Sequence, residues 1–139
     1  MNPIEMSNDG YLLLFHNTES WRALGREELK KYVEQNNAWL THLMTSGKVK
    51  GGQALARNGA MISGKNGRNV TDGPYAESKE VVGGYLLLNV ETMEEAIAIA
   101  RTAPHLGFNL SVEVRPLTNV CASHIRLEEL MRETQLAPA

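Results

Sequence analysis

Apolar residues along the 139-residue chain recur in two periods, and their alternation predicts the order of elements. "YLLLFH" at 11–16 is an unbroken apolar run, the mark of a strand buried on both faces. From Arg26 to Ser46 the apolar positions Leu29, Tyr32, Val33, Trp39, Leu40, Leu43 and Met44 fall on one face of a long helix. Glu27 and Glu28 suit its first turn, and Gly47 suits the position just past its end. Asn36 interrupts the stripe where an apolar residue is expected. Asn58-Gly59, between "ALAR" and "AMIS", predicts a two-residue hairpin turn, because both residue types tolerate positive φ. Asn66-Gly67 and Asp72-Gly73-Pro74 mark two further turns. "GGYLLLNV" at 83–90 predicts a second doubly buried strand, its glycines allowing a bulge or close backbone approach. Thr92 and Glu95 form a capping box before an amphipathic helix that Pro104 stops near Ala103. "LSVEVRPL" alternates, with Val112 and Val114 on one face and Ser111, Glu113 and Arg115 on the other. A last helix, "HIRLEELMRE", is expected to start at a Ser123 cap and to turn Leu127, Leu130 and Met131 inward.

The resulting order, β-α-β-β-β-α-β-α, is α+β. It predicts a ferredoxin-like split βαβ fold with an added β-hairpin. Two main helices cover one face of the sheet, while the central strands are apolar on both. The bare face predicts a homodimer, two sheets forming a dimeric α+β barrel with a ligand cleft between sheet and partner. The alternative is that the terminal helix covers that face within one chain. The expected division is a domain at 1–117 and a C-terminal helical extension at 118–139.

Composition narrows the function classes. With 42% hydrophobic and 22% charged residues the chain reads as one globular domain. Its net charge is −2 and its basic residues are scattered, which argues against nucleic acid as a partner. The lone Cys121 fits a reducing compartment. "MNPIEMSNDGYLLLFHN" lacks a basic n-region, and no stretch reaches the length of a membrane span, so a cytoplasmic protein without a membrane partner is expected. No phosphate loop, dinucleotide fingerprint, nucleophile elbow or metal-spaced histidine pair occurs, so no cofactor and no metal are expected.

"VTDGPYAESKEVVGGYLLLNV" resembles the signature of the YCII-related family, in the branch of DGPF-domain proteins. "APHLGFNLSVEVRPL" resembles that branch's closing segment, and with "YLLLF" the likeness covers roughly residues 10 to 117. The resemblance implies a ferredoxin-like fold and a dimeric α+β barrel. It implies no settled activity. Members often stand beside genes for extracytoplasmic sigma factors, which hints at regulation.

Asp72 closes a strand beside the expected cleft, where it serves either as an acid or base or as the acceptor of an Asx turn. The wider family carries a first-helix histidine proposed to pair with an aspartate; counting back from Gly47, that position falls near Asn36. An asparagine cannot transfer a proton at neutral pH. Asn36 is then a polar ligand of the cleft, or a buried amide bonded to the sheet. His105 is a second acid–base candidate at the cleft mouth, or a histidine favoured by a helix C-terminus. Tyr75 and Tyr85 are expected at the rim. Glu113 and Arg115 are candidate ligand contacts, or a salt bridge within the sheet. Three functional readings follow: a small-molecule-binding dimer, regulatory in character; an enzyme using Asp72 and His105 for acid–base chemistry; and a structural or interaction protein without a pocket.

Overall fold

β1 (Tyr11–Asn17) is an inner strand, antiparallel to β5 (Val81–Leu88) on one side and to β6 (Ser111–Pro116) on the other. β2 (Val49–Ala54) adds to the free edge of β5, giving the order β2-β5-β1-β6. Among these strands that is second, third, first, fourth in the chain, the split βαβ arrangement of a ferredoxin-like fold. The computed structural model describes residues 10–17, 22–72 and 81–136.

Register explains which side is filled. Leu13 faces Leu86 on one neighbour and Val114 on the other, and Phe15 faces Gly84 and Val112. These positions share the face covered by α1 (Arg26–Thr45) and α2 (Met93–Ala100). Leu13, Leu86 and Leu88 pack there with Trp39 and Leu43 of α1 and with Ala96 and Ala100 of α2. The small residues of α2 let it lie close on the sheet. Both helices end as their local chemistry dictates. Gly47, at φ 73°, accepts the left-handed turn after α1. Thr92 Oγ1 accepts from the Glu95 N–H at 3.1 Å to start α2. The opposite face carries Leu12 beside Leu87 and Leu14 beside Tyr85.

Two local expectations are corrected. Asn58-Gly59 does not close a hairpin: neither residue has positive φ, and β2 pairs across the sheet with β5. The hairpin that forms joins β3 (Ala60–Ser63) to β4 (Asn69–Asp72) as a separate sheet. Its turn uses the other Asn-Gly pair, with Asn66 at φ 60° and Gly67 at φ 68°. Pairing with β5 takes Val49–Ala54 as the strand, so "ALAR" at 54–57 mostly bridges two sheets. α3 (Ala122–Leu136) begins one residue ahead of Ser123, and its Leu127, Leu130 and Met131 are exposed, not inward. It therefore does not bury its apolar residues on the open face of the sheet.

Candidate functional site

A cavity of about 540 Å³ opens between α1 and the β2–β5 side of the sheet. Missing side chains create it. Gly52 and Gly84 both belong to the helix-covered face by register, opposite Leu86 and Phe15. A Cβ on Gly52 would fall 2.6 Å from Tyr85 O and 2.6 Å from Leu86 Cδ2, so no side chain fits at that point. α1 forms the roof with Tyr32, Asn36, Trp39 and Leu40, spaced so that all four share one side of the helix.

Aromatic rings converge at the inner wall. His105 sits in a short 3₁₀ turn, Pro104–Phe108, and is 6% exposed. Its ring stacks on Phe15 at 4.3 Å between centroids, with planes 21° apart. Tyr32 and Trp39 meet it edge-on at 5.3 Å and 6.0 Å. Trp39 is fixed in turn, since its Nε1 donates to Thr102 Oγ1 at 2.8 Å. Burial drives the His105 pKa down to about 4 and the Tyr32 phenol up to about 12, so both are neutral at physiological pH. Two buried polar atoms on cavity-lining residues have no hydrogen-bond partner among the described residues: Asn36 Oδ1 and His105 Nδ1.

The candidate residues divide. Asn36 and His105 line the cavity, and Tyr85 borders it at its backbone beside Gly52, while its pairing with Leu14 sets it on the open face of the sheet. His105 lies at the inner wall rather than the mouth, held by ring packing and not by a helix C-terminus. The sheet-bonded alternative for Asn36 finds no bond at Oδ1. Asp72 ends the separate hairpin, is exposed, and does not line the cavity. Tyr75 lies outside the described residues. Glu113 and Arg115 are on the open face and take the salt-bridge alternative. Arg115 Nη1 donates to Glu113 Oε2 at 3.1 Å, and His16 Nε2 donates to Glu113 Oε1 at 2.7 Å. These hydrogen bonds, that from His16 first, hold the Glu113 carboxyl below its ordinary range. Among the described residues no group of three or more His, Cys, Asp or Glu side chains is placed to hold a metal ion. No helix among them is long and apolar enough to cross a membrane.

The cavity is on the helix side of the sheet, whereas the cleft expected from sequence lay on the open side against a second subunit. The glycines explain the difference: they leave α1 without side chains to pack against at the β2 edge. Sequence reasoning had assigned Phe15, Tyr32 and Trp39 to the core, where they are. It missed that they surround His105. The spacing of Tyr32, Asn36 and Trp39 on one helical face was the available signal.

Fold and cavity together define a ferredoxin-like α+β domain with a ring-walled chamber under its first helix. The model of the YCII-related domain matches residues 11–119, and the chain belongs to that family. α3 lies beyond the matched segment. No curated protein matches the chain.

Proposed function

We propose that the chain binds a small molecule in the cavity under α1 without chemically altering it. The observation that carries this reading is the chamber itself, a volume within the range of small-molecule sites, walled by aromatic and aliphatic side chains. Acid–base catalysis is poorly supplied there. The cavity imidazole, His105, has a pKa near 4 and takes up a proton weakly at neutral pH. No carboxylate is among the described lining residues, and Asp72 stands on the hairpin. A thermal-shift screen of a metabolite collection, followed by product analysis of each hit, tests the reading. Stabilisation with no conversion is expected. Conversion that Asp72→Asn abolishes would establish the enzymatic alternative instead.

The same proposal includes a cytoplasmic homodimer of the DGPF branch, regulatory in character. Support for the dimer comes from the open face, where Leu12, Leu14 and Leu87 adjoin and α3 does not bury its apolar residues. Support for the branch comes from the Asp72-Gly73-Pro74 signature. Sedimentation at low micromolar concentration should give twice the mass of the chain. A stable single chain would remove the dimer and leave the cavity, which one chain encloses, intact.

A further inference from the structure

Polar atoms buried in a protein are nearly always paired, and a buried one without a partner calls for a reason. Here two such atoms, without a partner among the described residues, belong to residues of the same cavity wall. Asn36 stands on α1 between Tyr32 and Trp39, one turn from each, and those two rings are the ones that meet His105 edge-on. Asn36 Oδ1 and His105 Nδ1 thus belong to one neighbourhood, among rings. Both are withdrawn from water.

The chemistry of these atoms restricts what fits against them. An amide oxygen only accepts, so it calls for a donor on the ligand. A carboxylate or phosphate set against that oxygen would place acceptor on acceptor; only the Nδ2 end of the same amide could serve it. A cation there would be removed from water, the same cost that keeps His105 uncharged. The walls beside these atoms are flat rings and aliphatic side chains, which suit a planar apolar body. We propose that the cavity is specific for an uncharged, planar-ring compound bearing a hydroxyl or N–H donor, whose donor is received by Asn36 Oδ1 beside the His105 ring. This inference rests on the binding function proposed above and adds the class of ligand. It also gives the polar break in the α1 stripe a role: an apolar residue at 36 would close the ring wall but leave nothing to recognise the head group.

The test uses the full chain and three probes with one fused ring system and different heads: 2-naphthol, naphthalene and 2-naphthoate. Equilibrium dialysis should show 2-naphthol binding about tenfold more tightly than naphthalene, the effect of one net hydrogen bond. 2-Naphthoate should bind more weakly than 2-naphthol. Asn36→Leu should erase the preference for 2-naphthol while naphthalene still binds, and Asn36→Ala should do the same without filling the site. Equal affinity of wild type for naphthol and naphthalene would overturn the donor assignment and leave the ring cavity standing. Tightest binding of the naphthoate would also overturn it, transferring recognition to a cation such as Lys50 on the lining. An unchanged preference in both Asn36 variants would remove Asn36 as the acceptor. If none of the three ring compounds bound, the ligand class would fall, while the metabolite screen described above would decide the binding function separately.

Discussion

Replacing Phe15 with alanine is expected to remove about 3–5 kcal/mol of stability, the range for deleting a buried aromatic ring. Phe15 is 8% exposed, stacks on His105 and meets Trp39 edge-on at 6.1 Å. It joins the sheet core to the cavity wall, so its loss enlarges a space that already exists and that the glycine-lined side of the sheet cannot fill. Urea denaturation followed by circular dichroism reads the effect as a lower midpoint with little change in slope. Leu14→Ala is the matched control on the same strand, since its side chain points to the open face opposite Glu113. In a single chain it should cost clearly less than Phe15→Ala. Similar losses at 14 and 15 in a monomeric sample would contradict the one-sided core. A loss below about 1 kcal/mol at Phe15 would mean that the ring is not packed as described.

Acidification should destabilise the protein by roughly 2 kcal/mol between pH 7.5 and pH 5 through His105 alone. The folded chain holds this imidazole neutral down to about pH 4, against an ordinary value of 6.5. Between those values the unfolded chain binds a proton that the native chain refuses. The equilibrium therefore shifts toward unfolding as pH falls through 6.5, and the loss levels off below 4. Above pH 7 both states carry a neutral ring and His105 adds no pH dependence. His105→Phe keeps a ring in the stack and removes the titration. The urea midpoint of the wild type should therefore fall relative to that of the variant as the pH drops from 7.5 to 5. Parallel curves would show that His105 is solvated in the folded state. Most carboxylates titrate below this window, which keeps the comparison clean.

Period and punctuation made most of the fold legible. The apolar stripe between Arg26 and Ser46 gave α1 nearly to the residue, because both its acidic first turn and its terminal glycine are local signals. The Thr92–Glu95 box gave the start of α2 for the same reason. Where two Asn-Gly pairs compete, local propensity does not choose. Pairing of Val49–Ala54 with β5, at separations running from Ala54↔Gly84 to Val49↔Leu88, decides that Asn66-Gly67 turns the hairpin. α3 misled because its apolar residues match an amphipathic pattern whether or not a surface waits to receive them. The site was half legible. Asn36 announced itself as a polar break, and the glycines at 83 and 84 as places of close approach. The bulge is there: the register slips between Phe15 and His16, and a Cβ on Gly83 would collide with the Asn17 side chain. His105 could not be placed, since its burial depends on rings from β1 and α1 that sequence distance separates from it. Nor does any local signal tell that His16 reaches Glu113; only the β1–β6 register brings them together.

The strand order has a consequence for how the chain is made. β1 leaves the ribosome before either of its neighbours, and Tyr11 takes its place only when Leu88 and Pro116 have both arrived. Such distant pairing is slow to close. Until then "YLLLF" is an oily ribbon with two unsatisfied edges, and the nascent polypeptide depends on delay, dilution or a chaperone to keep that ribbon from a neighbour's.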